Sequence, residues 1–357
     1  PRNGWTRSTL AHNLVTVDGQ NQQRQGRTST VELFGAAPGI EVVQSSANAY
    51  EQCSQYRRTV ALVQLPGDNS YAVDIFRVTG GNLHQWTLNS NGSDFTLHDQ
   101  PLTAEEGVIT IGSLRWGLEN LRVARPQTPW RGTWTNEHVR LDVLMPSPAD
   151  RVVVADAPGW RSYRGDQLHA PPITQVLAER SGEALDSVFA AVLAPWEGEA
   201  SPIISVREVR PDDSGAVAVV VEMADRTDWL LSALDDRPRS YEGIEVSGRL
   251  GFVSFDAAGA LRAMYLHEGT LLRAGDEAIE LAEARVECAV TAVDGLTLTL
   301  AQPVPADLTL PGAHLLGAGT GWEIARAEGR SISVRDYPLV PLESVTVAMS
   351  AWRGPVD

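Results

Sequence analysis

Ser8-Thr9-Leu10-Ala11-His12-Asn13-Leu14-Val15-Thr16-Val17-Asp18-Gly19-Gln20-Asn21-Gln22 reads as a short strand that carries a histidine and runs into a tight turn. Side chains alternate faces along a strand. On that reading His12, Leu14, Thr16 and Asp18 share one face, and Asn13, Val15 and Val17 share the other. The valine face suits a core. The histidine face is mixed and suits a site. Asp18-Gly19 followed by polar residues is a turn signal, because tight hairpin turns need left-handed backbone that Asp and Gly tolerate.

The same grammar repeats along the chain. Residues 30–34 and 40–43 read as strands across Gly35-Ala36-Ala37-Pro38-Gly39. Residues 57–65 form a nearly continuous apolar run, which predicts a strand buried on both faces. Pro66 to Ser70 is a turn by composition, and residues 71–78 return as the partner strand of a hairpin. Gly80-Gly81-Asn82 breaks that strand, and Leu83–Leu88 resumes extended structure. Val108–Ile111, Leu121–Ala124, Val139–Leu144, Val152–Ala155, Ala216–Glu222 and Gly243–Phe255 take the same form. Many short strands between turn residues predict an all-β chain, a large antiparallel β-sandwich. After Ala274-Gly275-Asp276 the strands shorten: Val286–Val290, Leu296–Leu300, Leu308–Leu310, Trp322–Ala325 and Ser331–Val334. The organisation this predicts is a sandwich over residues 1–275 and a small C-terminal β-domain over 276–357. The alternative is that the tail is the last part of the sandwich.

With 357 residues, 43% of them hydrophobic, the chain holds one large domain or two ordinary ones. No apolar run approaches the ~18 residues that span a bilayer, so no membrane contact is expected. The net charge is −16, and all 29 basic residues are Arg. Such a surface argues against nucleic acid as a partner, which asks for basic patches. It also sits awkwardly with an anionic polysaccharide. At physiological salt, however, charges beyond about 8 Å are largely screened, and a local arginine holds a carboxylate bidentately. Cys53 and Cys288 are far apart and predicted to be free. Gly-x-Ser-x-Gly, His-Glu-x-x-His, Cys-x-x-Cys and phosphate-cradling loops are absent from the sequence.

The opening stretch resembles the His-Asn-Thr-Val-x-Val-Asp-Gly-x-x-Gln signature of the heparinase II/III-like polysaccharide lyases, with Leu14 where that family usually has Thr. Arg58–Val63, Tyr71–Trp86 and Ser187–Trp196 look like the family's downstream β-domain, and the likeness carries on to about residue 270. It also decides Ala184–Leu193, which has helical propensity, in favour of a strand. The resemblance implies a supersandwich-like β-portion that follows a catalytic α/α-toroid absent from this chain. It implies that the parent cleaves an acidic polysaccharide by β-elimination at a uronic acid, in the periplasm or outside the cell. The family's catalytic Tyr, His and Asn or Glu lie mainly on the toroid, so no catalytic residue is expected here. The chain is expected to be a piece of a longer polypeptide and inactive alone. The alternative is a non-catalytic carbohydrate-binding or scaffolding β-protein.

On the same resemblance His12 corresponds to a structural zinc ligand. Its partners would be a His from an upstream His-x-His segment and an Asp, both before Pro1. A zinc site needs three or four ligands, so the site is expected to be incomplete in this chain. Without the resemblance, His12 reads as a histidine hydrogen-bonded within a sheet. Asn13, Gln20, Gln22 and Arg24 are candidate substrate contacts around the turn. Packing is the alternative for Asn13, and plain solvation for the loop. His84 and Trp86 alternate on one face and suit either a sugar ring or a core. Arg57, Arg58 and Arg77 with Asp74 read as cross-strand ion pairs. Trp116, Trp130, Trp134 and Trp160 sit near turn residues, as a sugar platform or as core.

Overall fold

The computed structural model describes residues 2–26, 28–67, 69–90, 94–114, 117–159, 171–212, 214–305, 308, 312–335 and 337–354. A short helix (Arg2–Thr6) and a 3-10 turn (Thr9–Ala11) open the chain, and the other regular elements among the described residues are strands. The protein is all-β, as the turn-punctuated sequence predicts. Two compact units are formed, one from Pro1–Thr28, Ala47–Arg58 and Asp74–Pro202, the other from Ser29–Ser46, Thr59–Val73 and Ile203–Asp357.

The strands begin with β1 (Val15–Val17), β2 (Ser29–Ala37), β3 (Ile40–Ala47), β4 (Gln55–Gln64), β5 (Ser70–Thr79), β6 (Leu83–Asn89) and β7 (Asp94–Leu97). Next come β8 (Thr103–Ala104), β9 (Glu119–Ala124), β10 (Trp130–Asn136), β11 (Val139–Met145), β12 (Arg151–Ala157), β13 (Ile173–Ser181) and β14 (Asp186–Glu197). Then follow β15 (Ile203–Val209), β16 (Val217–Met223), β17 (Arg226–Ser232), β18 (Pro238–Tyr241), β19 (Ile244–Asp256), β20 (Leu261–Ala274) and β21 (Glu277–Glu280). The last are β22 (Arg285–Asp294), β23 (Thr297–Leu300), β24 (His314–Gly317), β25 (Thr320–Glu328), β26 (Ser331–Val334), β27 (Ser344–Ala348) and β28 (Ser350–Arg353).

The first unit contains a six-stranded sheet in the order β1-β6-β13-β12-β9-β8 and the run β5-β14-β11-β10-β7. Val15, Val17, Trp86, Val152, Val154 and Val176 of the six-stranded sheet share one core with Tyr56, Phe76, Trp130, Trp134, Val143 and Phe189. Val153 and Ala155 point the other way, into a second cluster with Trp5, Leu10, Leu121 and Leu177. Strand β12 is therefore buried on both faces, which is why its sequence is a continuous apolar run. In β4, by contrast, Ala61 and Val63 are buried but Leu62 between them is 39% exposed. The run 57–65 thus alternates, which corrects the two-faced reading. Val108–Ile111 is no strand either; it makes a single bridge, Ile109 to Leu118.

The second unit contains a sheet in the order β15-β16-β17-β19-β20-β21, with β18 on β19 and β28 on β20. Its apolar cluster includes Val220, Leu231, Val253, Met264, Leu266 and Leu272. A closed barrel, β22-β23-β26-β25-β24-β27, has its own core of Leu298, Leu315, Trp322, Ile324, Ile332 and Val347. The expected boundary at residues 275/276 falls inside a hairpin. Strands β20 and β21 pair directly across it, Ala274 opposite Glu277, and Gly275 only supplies the left-handed turn residue, φ 59°. Strand β28 then returns to pair with β20, Leu266 opposite Ala351. Of the other readings, Thr309 and Leu310, Trp116 and Trp160 lie outside the described residues.

Candidate functional site

The signature stretch folds back on itself. The Thr9 N–H donates to Asn21 Oδ1 at 2.8 Å, and the Gln22 N–H donates to Thr9 Oγ1 at 2.8 Å. These bonds hold Thr9–Ala11 as a 3-10 turn, and extended pairing begins only at Val15, opposite Trp86. His12 therefore caps the 3-10 turn and does not share a strand face with Thr16 and Asp18. That is a correction to the strand reading. Its cause is that the residues past the Asp-Gly turn reach back and tie up Thr9.

The turn itself has left-handed backbone at both central residues, Asp18 (φ 52°) and Gly19 (φ 63°). It closes with the Gln20 N–H on the Val17 carbonyl at 3.0 Å. Two positive φ values match a hairpin turn that follows the natural strand twist. The Asp18 carboxylate then works as a staple. Oδ1 accepts the N–H groups of Asn82 (2.7 Å) and Leu83 (2.9 Å), and Oδ2 accepts Gln52 Nε2 (3.0 Å). Burial works against the charge, but these bonds outweigh it and hold the carboxyl below its ordinary value.

The strand beyond is saturated in the same way. Thr16 donates to Gln85 Oε1 (2.8 Å), and Gln85 donates to Glu179 Oε1 (2.7 Å), whose other oxygen is paired with Arg151. Strand β1 is an edge, and an edge leaves backbone groups unpaired. Tyr56 donates its hydroxyl to the Val15 carbonyl at 2.7 Å and so closes that gap. Gln22 in turn donates to the Tyr56 hydroxyl at 2.9 Å.

The predicted site residues separate into two groups. Gln22 and Asn13 hold the fold. Asn13 accepts the Asn89 N–H on Oδ1 (2.9 Å), donates back to the Asn89 carbonyl (3.3 Å), and receives Arg58 Nη1 on its own carbonyl (2.9 Å). His12, Gln20 and Arg24 are exposed. No side-chain hydrogen bond or ion pair engages these three among the described residues. The backbone of His12 is fixed from both sides: its N–H donates to the Thr9 carbonyl (3.1 Å), and its carbonyl accepts Thr87 Oγ1 (2.6 Å). Its imidazole has no partner among the described residues. Sequence reasoning missed Gln52, Thr87 and Asn89, and spacing gave no signal for them.

Other candidates resolve as structure. Arg58 grips Asp74 with two bonds, Nε to Oδ1 at 2.8 Å and Nη2 to Oδ2 at 3.1 Å, the cross-strand pair expected. Trp86 donates to the same carboxylate at 3.1 Å. His84 is fully buried between Ser187 Oγ (2.9 Å) and the Gly80 carbonyl (2.7 Å), so this Ser–His pair has no access for a substrate. Trp130 and Trp134 are each 2% exposed, within the core, and offer no platform to a sugar. Cys53 and Cys288 are free. Burial pushes the Cys53 thiol up to about 11, which makes it a poor nucleophile.

Among the described residues no three His, Cys, Asp or Glu side chains gather where a metal could bind. His12 offers one exposed nitrogen toward the three or four that zinc takes. No described helix is long and apolar enough to cross a membrane.

No family model matches the chain, and no curated protein matches it. Solved structures with some likeness include the heparan sulfate lyase HepC from Pedobacter heparinus, at 16% identity and a TM-score of 0.43, covering 65% of this chain and 32% of that one. Another is a heparinase III with methylated lysines, at 15% identity and a TM-score of 0.41, covering 71% of this chain and 30% of that one. A further heparinase III is 14% identical, with a TM-score of 0.41, over 64% of this chain and 30% of that one. The chain thus spans less than a third of the length of these proteins. At such scores these are likenesses to parts of larger chains and nothing more.

Proposed function

We propose that the chain is the β-portion of a lyase that cleaves a uronic-acid-containing polysaccharide, and that it supports the chemistry without performing it. One observation carries this reading. The histidine of the signature is presented and not packed: its backbone is pinned by Thr9 and Thr87, while its imidazole is exposed and unpartnered among the described residues. A histidine fixed in that way is a ready ligand for a metal whose other ligands come from a different segment. The sequence signature around it supports the same reading.

In β-elimination a base takes the proton next to the carboxylate, nearby donors neutralise the charge that develops, and an acid assists the leaving oxygen. None of these roles falls to a residue of this chain. Zinc, on this reading, is structural and bound by His12 together with residues outside the chain. The partners are a catalytic α/α-toroid and an acidic polysaccharide, in the periplasm or outside the cell. The test compares the native polypeptide from its source with this chain alone on uronate polysaccharides, following the ultraviolet absorbance of the unsaturated product. Product from the native polypeptide and none from the chain is the expected result. A native polypeptide that cleaves no uronate polysaccharide overturns the reading, and product from the chain alone overturns the supporting role.

A further inference from the structure

The second unit holds a buried polar cluster that the proposed function does not use. It comprises Tyr265, His267 and Glu268 of β20, Arg249 of β19 and His314 of β24. Both imidazoles are fully buried. His314 Nδ1 lies 2.8 Å from the Gly312 carbonyl, which can only accept, so the ring proton sits on Nδ1 and Nε2 is a bare acceptor. His267 Nδ1 lies 3.1 Å from the Tyr265 hydroxyl. Neither Nε2 has a hydrogen-bond partner among the described residues. The ring centroids are 6.0 Å apart and nearly perpendicular.

This cluster lies where β2 meets the barrel and β20. Phe34 of β2 packs edge-on against His314, centroids 4.5 Å apart. A methyl group on Gly35 would stand 2.7 Å from the Tyr265 hydroxyl and 3.0 Å from the His267 ring. The Val31 N–H donates to the Gly319 carbonyl at 2.9 Å, between β24 and β25. We propose that His267 and His314 form an acid-sensitive latch, which seats the barrel against β2 and β20 while both rings are neutral and releases it when either ring takes a proton.

The neighbours give such a proton a poor home. A charge there is buried, and Nε2 of each ring lacks a hydrogen-bond partner among the described residues. At His267 burial opposes the charge most strongly, and His314 and Arg249 repel it. The Phe34 backbone pulls the other way and is outweighed. Glu268 is the buried carboxylate of the cluster, but it is paired with Arg249 at 2.6 Å and has Arg285 of β22 at 3.8 Å. Burial, with repulsion from Glu32 of β2, favours the neutral form of Glu268. Opposite His314 on β25 stands Glu323, already paired with Arg335 at 2.9 Å. Burial pushes His314 down to about 4 and His267 well below its ordinary value.

The test is backbone hydrogen exchange on the full chain between pH 7.5 and 5, corrected for intrinsic exchange. Below about pH 6.5 the opening of β2, β24 and β25 is expected to rise by up to about tenfold per pH unit for each histidine. The cores of β12 and β14 should lack that rise. His267→Gln with His314→Gln should flatten the response. An equal acid rise in the double variant, or none in the wild type, overturns the latch. If the double variant does not fold, imidazole nitrogen resonances of the wild type decide. Both rings are expected to remain neutral at pH 5, and ordinary titration near pH 6.5 overturns the proposal.

Discussion

Around the Asp18 turn the polar groups have partners: Thr16 with Gln85, Gln85 with Glu179, Asp18 with two backbone N–H groups and Gln52, Tyr56 with Val15. Around His267 and His314 four buried atoms have no hydrogen-bond partner among the described residues: both imidazole Nε2 atoms, Glu268 Oε1 and Arg249 Nε. A buried group left unsatisfied costs about 1–3 kcal/mol, whereas a satisfied one is close to neutral or mildly favourable. The first region is therefore a rigid staple, and the second is a place where stability is held in reserve against a change of conditions.

The sharpest way to break that contrast is to remove the staple. Asp18→Ala deletes the acceptor of three hydrogen bonds, two from backbone groups that would then be left unpaired, and leaves a non-glycine, non-polar residue at φ 52°. A loss of about 3 kcal/mol in urea unfolding is expected. A loss under about 1 kcal/mol would mean that water replaces the carboxylate and that the turn is no staple. Next in size is Gly35→Ala in the second region. With a Tyr265 hydroxyl 2.7 Å from the new methyl group, overpacking should remove about 2 kcal/mol. A neutral result would show that the seam has room to spare.

Acid separates the two regions by the pH window in which each loses stability. His314 has an ordinary value of 6.5 and is held near 4. The unfolded chain therefore binds its proton first, and stability falls by about 1.4 kcal/mol per pH unit as pH drops from 6.5 toward 4. The Asp18 carboxyl lies below its ordinary 3.8. Its contribution is complete above that value and is lost only as pH falls through the folded one. Urea midpoints measured from pH 7.5 down to 3 should fall first through the histidine window. A curve flat to pH 4 would remove the distinction.

The sequence made the turn and the all-β class legible because both are local. Asp18-Gly19 needs only its own backbone preference, and Val152-Val153-Val154-Ala155 reads as a strand from its own apolar run. What Asp18 holds is not local. Its partners are 34, 64 and 65 residues away, and no pattern in the stretch points to them. The same applies to His12. Strand alternation placed it on a face with Thr16, but Asn21 and Gln22 turned the chain before Val15. The tryptophans were ambiguous because a large amphipathic ring suits a core and a platform equally. Only burial decided for Trp130 and Trp134. Nothing in the spacing of His267 and His314 suggested that two strands would bring their rings together.

Smaller effects sharpen the staple. Gln22→Ala removes the bond to the Tyr56 hydroxyl but leaves that hydroxyl on the Val15 carbonyl. About 1 kcal/mol should be lost. A larger loss would show that Gln22 positions Tyr56 and does not merely satisfy it.

The smallest expected effect belongs to the residue that carries the functional reading. The imidazole of His12 is exposed and unpartnered among the described residues, and its backbone bonds to Thr9 and Thr87 survive any side chain. His12→Ala should therefore change the stability of this chain by less than about 0.5 kcal/mol. Zinc added to the chain should raise its melting temperature no more in the wild type than in the variant. In the native polypeptide the same substitution should lower the bound zinc, measured by elemental analysis of the purified protein, because one ligand of the set is gone. A destabilised chain would place His12 in the fold. An unchanged metal content in the native polypeptide would separate it from any metal. The two results together tell a histidine that is presented to a partner from one that is merely exposed.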